Sequence, residues 1–364
     1  MAALKARQPD IEFEGIGGDK MLAQGMHSRV PLDKLSVMGL VEVLRELPSL
    51  LKIRRDLVAH WSRHPPDLFI GIDAPDFNLG LEIKMRKLGV PTVHYVSPTI
   101  WAWREKRAYK IKRAADLVLS IFPFEAPLLK KYGIPVSYVG HPLAAEYPGQ
   151  VDQSVARESL GLKLDRPVLA LLPGSRANEV KLLSEPFLKT ALACAKKLPG
   201  LQLVVPLINA KTRRLFEQAI EEFTPSLDVQ LIDADTQIAL SAADVALVAS
   251  GTATFEALLC ECPMVVGYKA NPISYNIIMA LKLVNTRYVA MANILADEGL
   301  APEFIQSDCE PGQLIPAVLH WFEDPAAAEQ VRLRYRDIHA GMTLDTNQLA
   351  ASAVMDLLEK KHGS

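Results

Sequence analysis

The sequence predicts an α/β protein made of two Rossmann-like domains that face a cleft. Three observations lead to this fold class. The chain has 364 residues, a length that suits two domains of ordinary size. Short runs rich in Val, Ile and Leu alternate with helical patterns, and this alternation occurs in two successive series. The runs are continuously apolar, which is typical of parallel strands covered by helices on both faces.

The first series contains four predicted strands with helices between them. The strands cover residues 11–17, 67–73, 92–97 and 116–122, and the helices cover 80–89 and 104–115. The second series contains five predicted strands. These cover residues 167–174, 201–208, 229–233, 244–250 and 263–268.

The domain boundary is predicted where Pro and Gly cluster and the periodicity lapses, between residues 140 and 154. We predict an N-terminal domain over 1–146, a C-terminal domain over 147–340, and a helix within 341–364 that packs back towards the first domain.

The chain begins with a helical segment, MAALKARQPD, ahead of its first predicted strand. A doubly wound domain usually begins with a strand that lies in the middle of its sheet. We therefore expect this chain to start inside a longer protein. The alternative is a domain built without its central strand, with the flanking strands unpaired and an apolar slot left open.

Composition excludes several classes of protein. The formal net charge of −2 provides no basic field that would recruit nucleic acid. The four cysteines form no CxxC pair, so we expect reduced thiols in a cytoplasmic protein. No apolar run approaches the ~20 residues of a membrane-spanning helix. Metal-ligand spacings, a P-loop and a GxSxG motif are absent, and we expect no metal and no cofactor.

The segment LLPGSRANEV predicts a phosphate site. Gly174, Ser175 and Arg176 follow a buried strand and open a helix. Free N–H groups and the dipole of the helix favour an anion there, and a guanidinium can add a charge-assisted contact. The alternative is an ordinary turn with a surface arginine, in which Glu179 acts as a helix-start carboxylate.

The segment SGTATFEALL predicts a second part of the same ligand site. Ser250, Gly251 and Thr252 lie between a buried strand and a helix, and Glu256 follows Thr252 by four residues. A carboxylate there can accept both hydroxyls of a ribose while the loop backbone approaches a phosphate. The alternative is a capped helix with a Glu that compensates the dipole.

The segment FIGIDAPDFN predicts a general base. Asp73 ends a buried strand, where an acid is well placed to take a proton from an incoming hydroxyl. The alternative role for the acids of this segment is helix N-capping, which suits Asp76 better than Asp73.

Two segments combine apolar or aromatic residues with basic ones, a composition that suits an acylated substrate or an anionic lipid surface. The alternative is core packing beside a solvated basic face. The residues concerned are Val37, Met38 and Leu40 in the first segment, and Trp101, Trp103 and Arg104 in the second.

Together these motifs resemble the lipid-A-disaccharide synthases, bacterial glycosyltransferases that join two acylated glucosamines. The resembling blocks run from residue 1 to about residue 355 and include GIDAPDFN, SPTIWAWR, LLPGSRANEV, SGTATFEALL and NILAD. GIDAPDFN together with SPTIWAWR is highly specific, whereas the GSR and SGT loops occur across many nucleotide-sugar enzymes.

The resemblance implies a glycosyltransferase fold of the B type and an inverting reaction without a metal. It implies UDP-2,3-diacylglucosamine as donor and 2,3-diacylglucosamine 1-phosphate as acceptor, which give a β-1,6-linked disaccharide 1-phosphate and UDP. The family's motifs assign Asp73 as the base on the acceptor's 6-hydroxyl, Arg176 to the donor's diphosphate, Ser250, Gly251 and Glu256 to phosphate and ribose, and Asn293 to the neighbourhood of the donor.

The resemblance also implies peripheral contact with the cytoplasmic face of the inner membrane, and a homodimer is one expected assembly. Family members begin with a strand and a glycine-rich loop of the form AGExSGD, which this chain lacks. Two alternatives therefore accompany the enzyme: an inactive UDP-sugar-binding protein that results from truncation, and a UDP-N-acetylglucosamine epimerase of the same fold.

Overall fold

The computed structural model describes residues 1–32, 40–101, 106–147, 152–270 and 286–362; for residues 40–46 it describes the backbone alone. The chain forms two compact units. Unit 1 comprises Met1–Pro142 and Leu344–Ser364, and unit 2 comprises Leu143–Thr343. Both units are parallel α/β structures, so the predicted fold class of two Rossmann-like domains is confirmed. The roles assigned to the two predicted domains stay predictions.

Unit 1 contains six strands among its described residues, and four of them lie, in order, within the predicted ranges of the first series. The six strands are β1 (Glu14–Gly15), β2 (His27–Ser28), β3 (Phe69–Ile72), β4 (Thr92–Tyr95), β5 (Leu117–Ser120) and β6 (Val136–Tyr138). The accompanying helices are α1 (Ala2–Arg7), α2 (Asp19–Ala23), α3 (Leu40–Arg63), α4 (Pro75–Lys87), α5 (Arg107–Ala114) and α6 (Glu125–Lys131), and α7 (Pro142–Glu146) lies at the boundary of the two units.

The strands of unit 1 belong to two parallel sheets. Strands β3, β4, β5 and β6 form a four-stranded sheet in sequence order, and β1 pairs with β2 in a separate sheet. A groove of about 1830 Å³ lies in this unit, and its lining includes Gly15 of β1 and both Phe69 and Ile70 of β3. That the chain starts inside a longer protein stays a prediction.

Unit 2 contains a six-stranded parallel sheet. Its strands are β7 (Val168–Leu172), β8 (Gln202–Leu207), β9 (Gln230–Asp233), β10 (Val245–Ala249), β11 (Met264–Tyr268) and β12 (Glu303–Ile305). Its helices are α8 (Gln153–Ser159), α9 (Ala177–Lys197), α10 (Ala210–Phe223), α11 (Thr236–Ala242), α12 (Thr252–Leu259), α13 (Met291–Ala296), α14 (Pro311–Glu323) and α15 (Pro325–Met342).

The strand order in unit 2 is β12-β11-β10-β7-β8-β9. This is the doubly wound order, in which the first strand lies in the middle and the direction of winding reverses beside it. Every residue of β7 and of β10 is buried, as their uniformly apolar sequences predict. The carboxyl ends of these two neighbouring strands are therefore the place where a ligand of unit 2 is expected.

The C-terminal helix, α16 (Thr346–His362), belongs to unit 1. Ala351 and Val354 of this helix share a buried apolar cluster with Leu4, Val93 and other residues of unit 1. The guanidinium of Arg7 in α1 donates hydrogen bonds to the side chains of Gln348 and Ser352 in α16. Residues far apart in the sequence thus complete one core.

Candidate functional site

The candidate residues lie at carboxyl ends of parallel strands. Asp73 directly follows β3 in unit 1. Gly174 lies two residues beyond the end of β7, and Ser250 directly follows β10. Because β7 and β10 are neighbours in the sheet of unit 2, their loops leave the same edge side by side.

Asp73 occupies a turn with an unusual backbone conformation. Its φ is +47° and that of Ala74 is +40°, so two successive residues other than glycine adopt left-handed angles. Such residues are strained and are found preferentially at functional sites. The side chain of Asp73 is exposed, while its backbone N–H donates a hydrogen bond to the carbonyl of Tyr95 on β4. The turn presents a carboxylate to solvent on a fixed backbone.

The alternative that Asp76 caps α4 is wrong. The N-cap residue is Ala74, and its side chain makes no capping hydrogen bond. Asp76 lies within the first turn, is 79% exposed, and accepts a hydrogen bond from the Arg107 guanidinium at 2.6 Å. The capping residue lies two positions earlier because the left-handed turn ends at Ala74, which leaves Pro75 as the first helical residue.

The GSR loop at the start of α9 holds a set of hydrogen-bond donors suited to an anion. The backbone N–H groups of Ser175 and Arg176 lie 3.0 and 3.1 Å from Oε2 of Glu179. The Arg176 guanidinium lies 2.7 Å from Oε1 of the same residue. Gly174 has a φ of +113°, and a Cβ at this position would lie 2.6 Å from Cβ of Glu179. A glycine is therefore required for this close approach.

Both interpretations of the GSR loop are visible in its geometry. Two backbone amides and a guanidinium converge as a phosphate site requires, and Glu179 accepts hydrogen bonds from all three as a helix-start carboxylate. A carboxylate and a phosphate compete for the same donors. A diphosphate bound at this loop would therefore have to replace the Glu179 carboxylate on the Ser175 and Arg176 amides.

The SGT loop leads from β10 into α12. Gly251 is the N-cap residue of α12, with a φ of +152° and no side-chain capping bond. The Ser250 hydroxyl donates a hydrogen bond to the carbonyl of Val289 at 3.2 Å, while Thr252 is exposed. Open space surrounds the position of a Cβ on Gly251, so another group can approach this backbone closely.

Glu256 lies beyond the first turn of α12 and is half-buried. This helix has no acidic residue in its first turn, so the alternative of a dipole-compensating Glu is wrong. The Tyr147 hydroxyl donates a hydrogen bond to Oε1 of Glu256 at 3.0 Å. Burial raises the pKa of Glu256, and this hydrogen bond opposes the shift. Burial and the neighbouring Glu256 raise the pKa of Tyr147 as well.

Asn293 is 1% exposed, and its amide is engaged within unit 2. Nδ2 donates to the carbonyl of Ala301 at 2.8 Å and to Oε1 of Glu303 at 2.9 Å. Oδ1 accepts a hydrogen bond from the Ala301 N–H at 2.8 Å. The side chain thus holds two backbone segments together, and its proximity to the donor stays a prediction.

The predicted acceptor-facing or membrane-facing residues are described only in part. Val37, Met38, Trp103 and Arg104 lie outside the described residues, and Leu40 begins α3 with its side chain outside them as well. Trp101 is half-buried and packs edge-on against Phe124, with ring centroids 5.3 Å apart.

Two properties of the described residues bear on the membrane and metal predictions. Within the ranges given above, no helix is long and apolar enough to cross a bilayer. In the same part of the chain, no group of three or more His, Cys, Asp or Glu side chains could hold a metal ion.

Two partners in these sites were not predicted from the sequence. Tyr147 stands 109 residues from Glu256, and no sequence pattern links them. Asn78, five residues after Asp73, donates through Nδ2 to the carbonyls of Ile72 and Asp73. The short spacing between Asp73 and Asn78 is a signal that could have identified this contact, because the first turn of a helix returns to its start.

Solved structures with a similar fold support the two-unit architecture. A UDP-GlcNAc 2-epimerase from Neisseria meningitidis, bound to UDP-GlcNAc, has a TM-score of 0.57 and 15% identity, covering 94% of this chain and 89% of that one. A glycosyltransferase from Rickettsia africae has a TM-score of 0.56 and 12% identity, covering 99% and 93%. At such identities the similarity shows the fold alone.

Sequence relatives are much closer. The family model of lipid-A-disaccharide synthetase matches residues 1–356. The lipid-A-disaccharide synthase of Vibrio parahaemolyticus is 46% identical over 358 residues, which are 98% of this chain and 93% of the relative. That of Pseudoalteromonas translucida is 48% identical over 356 residues, or 98% and 92%. Because the model and these relatives extend over nearly the whole sequence, the chain belongs to the lipid-A-disaccharide synthase family.

Proposed function

We propose that this chain catalyses the glycosyl transfer that forms the lipid A disaccharide. The observation that carries this proposal is the family match over residues 1–356, together with 46–48% identity to the named synthases. The substrates are a UDP-sugar donor and a sugar-phosphate acceptor. In finer detail, we propose UDP-2,3-diacylglucosamine and 2,3-diacylglucosamine 1-phosphate, giving the β-1,6-linked disaccharide 1-phosphate and UDP.

Asp73 serves as the general base in this proposal. Inversion at the anomeric carbon requires the acceptor's 6-hydroxyl to attack from the side opposite the departing UDP. A carboxylate within about 2.6–3.2 Å of that hydroxyl can take its proton as the new bond forms. The exposed side chain of Asp73 and the bonded backbone on which it stands support this role.

The GSR loop takes the diphosphate of the donor. As the glycosidic bond to UDP breaks, negative charge grows on the diphosphate oxygens. Once the diphosphate has replaced the Glu179 carboxylate, the amides of Ser175 and Arg176, the guanidinium of Arg176 and the start of α9 can stabilise that charge. The glycine at position 174 keeps the loop close to the helix.

The SGT loop completes the donor site. Its backbone at Gly251 is open to a phosphate, and Ser250 and Thr252 flank it. The Tyr147 hydroxyl holds Oε1 of the half-buried Glu256 and so orients the carboxylate. The remaining lone pairs of its two oxygens can accept both ribose hydroxyls. Asn293 acts on this site through the segments that it joins.

Unit 1 is proposed to bind the acceptor and to face the membrane, and unit 2 is proposed to bind the UDP-sugar. Acyl chains on both substrates require contact with a lipid surface, and the apolar and basic segments around Leu40 and Trp101 suit such contact. We place the enzyme at the cytoplasmic face of the inner membrane. Sedimentation with anionic liposomes tests the membrane contact, and sedimentation velocity tests the proposed homodimer.

Release of UDP from the two acylated sugars tests the function. Asp73→Ala is expected to lower kcat by about 10²- to 10⁴-fold, the usual effect of removing a general base. Asp76→Ala, which removes another exposed carboxylate of the same segment, is the control and keeps most of the turnover. Unchanged turnover in Asp73→Ala would remove the assigned base.

A second measurement tests the donor site. Arg176→Ala is expected to weaken UDP binding measured by calorimetry, whereas Lys181→Ala, an exposed cation on the same helix, leaves it unchanged. Equal affinities of the two variants for UDP would contradict the proposed diphosphate contact.

The two alternative functions are not favoured. The epimerase structures share only the fold, whereas the synthases share 46–48% identity. An epimerase would convert UDP-N-acetylglucosamine alone, and a binding protein would bind UDP without turning over either substrate. Acceptor-dependent release of UDP identifies the synthase, and conversion of UDP-N-acetylglucosamine to its epimer separates an epimerase from a binding protein.

A further inference from the structure

We propose that Asn78 is a positioning residue that fixes the direction of the Asp73 carboxylate. This inference rests on the proposed role of Asp73 as the base. Asn78 lies on the first turn of α4 and does not need to touch the substrate to act. Its contribution would come through the backbone on both sides of Asp73.

The side-chain amide of Asn78 bridges two peptide groups. Nδ2 lies 3.1 Å from the carbonyl oxygen of Ile72 and 2.9 Å from that of Asp73. The first carbonyl belongs to the peptide plane before the Asp73 Cα, and the second belongs to the plane after it. Holding both planes sets φ and ψ at Asp73, and these angles determine where its Cα–Cβ bond points.

The same backbone is bonded from two further directions. The Asp73 N–H donates to the Tyr95 carbonyl at 2.8 Å, which ties the first peptide plane to β4. The Asn78 N–H donates to the Ala74 carbonyl at 2.9 Å, which ties the end of the turn to α4. A strained conformation persists only where its surroundings determine it more than once, and the left-handed pair at Asp73 and Ala74 meets this condition.

Asn78 reaches the turn because α4 lies unusually close to β3. A Cβ on Gly71 would lie 3.0 Å from Cβ of Asn78 and would overlap the carboxylate of Glu82. Glu82 is itself held by His94 of β4, with 2.6 Å between Oε1 and Nδ1. The glycine in β3 and this buried pair therefore keep the helix at the distance from which the Asn78 amide can donate to both carbonyls.

Loss of the amide would free the turn to relax. A displacement of the order of 1 Å in a catalytic group can lower a rate by about a hundredfold. We expect Asn78→Ala and Asn78→Asp to lower kcat by about ten- to a hundredfold. Both substitutions lie in unit 1, whereas the proposed UDP-sugar site lies in unit 2, so we expect KM for the UDP-sugar and the Kd for UDP to stay within about twofold of the wild-type values. Asn78→Asp keeps the volume of the side chain and lacks the donor in its ionised form.

The experiment measures kcat, donor KM and the Kd for UDP in Asn78→Ala, Asn78→Asp, Asp73→Ala and the double variant Asn78→Ala/Asp73→Ala. Lys84→Ala, an exposed residue on the same helix, is the matched control. Circular dichroism shows whether each of the two Asn78 variants is folded, and the kinetic comparison uses a variant that is. A residue that acts through Asp73 causes no further loss of the residual turnover once Asp73 is removed.

The inference is supported by a tenfold or larger fall in kcat with unchanged UDP affinity and no further loss in the double variant. It is overturned if a folded Asn78 variant keeps kcat within about twofold of the wild type, or if the losses multiply in the double variant. Full turnover by Asp73→Ala is a different result: it removes the base, and with it the group that Asn78 is proposed to position.

Discussion

Replacement of His94 alone should destabilise unit 1 more than replacement of His94 together with Glu82. Both side chains are 0% exposed, and a single short hydrogen bond of 2.6 Å joins them. The second polar atom of each, Oε2 of Glu82 and Nε2 of His94, has no hydrogen-bond partner among the described residues. Each group therefore depends on the other for its only compensation in an apolar environment.

The expected magnitudes follow from this isolation. Removing one member of a buried hydrogen-bonded pair destabilises a protein by about 1–3 kcal/mol, and by more where the remaining group is charged, because the other member is left buried without a partner. Replacing both by apolar residues of similar volume is neutral or stabilises by up to about 4 kcal/mol. We expect His94→Leu and Glu82→Met each to fall in the first range. The double variant should lie near the wild type; the unbranched Met is chosen to fit beside Gly71.

Amide hydrogen exchange in β3 and β4, followed by mass spectrometry, reports on unit 1 separately from unit 2. His64→Leu, the replacement of an exposed histidine of unit 1, is the control and should change the free energy of opening by less than about 0.5 kcal/mol. If the double variant is destabilised by the sum of the two single effects, the pair is not coupled and the reasoning fails.

Three further predictions concern pH and packing. Tyr147→Phe removes the hydrogen bond that opposes the effect of burial on Glu256, so the pKa of Glu256 should rise further. As the pH falls, the variant should therefore lose UDP affinity, measured by calorimetry, at a higher pH than the wild type does. Gly267→Ala would place a Cβ 2.6 Å from the Phe187 ring and should lower the urea-unfolding free energy by about 1–3 kcal/mol. The hydrogen bond from the Arg29 guanidinium is the main cause that lowers the pKa of Glu14 from 4.5 to about 2. The stability that this bond provides is present above pH 4.5 and is lost as the pH falls towards 2, so Glu14→Gln should flatten the decline of Tm in that window.

The strands were predictable because burial on both faces leaves a simple signal. Each of the nine predicted ranges contains one observed strand, but the ends are trimmed. The range 11–17 yields only Glu14–Gly15, because the pairing of β1 with β2 extends over two residue pairs. The two-residue β2 and the three-residue β6 and β12 lie outside the nine predicted ranges, since runs of this length carry too little apolar periodicity.

The positions of the site residues were also readable from the rule that ligands bind at the carboxyl ends of parallel strands. The hydrogen-bond partners of these residues were harder to predict from the sequence. The contact between Glu256 and Tyr147 depends on how distant segments pack, which local pattern does not encode. The left-handed turn at Asp73 was not predicted for another reason. Neither Asp73 nor Ala74 is a glycine, the residue whose presence would have indicated a positive φ.

The proposed base in unit 1 and the proposed diphosphate loop in unit 2 differ in how their internal hydrogen bonds prepare them, and the difference bears on which ligands can bind. At Asp73 the internal partners hold backbone groups and leave the carboxylate exposed, so as the proposed base it would need no rearrangement before the acceptor arrives. In the GSR loop the internal partner, Glu179, holds the very donors that the ligand needs. A ligand that replaces it must return as many hydrogen bonds as it removes, since an unpaired donor is unfavourable. A diphosphate carries more charge and more oxygen atoms than the carboxylate that it would replace, whereas a monoanion of that size offers these donors no more than Glu179 already does. The carboxylate of Glu179 would thus keep the loop ordered without a ligand and would favour the diphosphate of the donor over smaller anions.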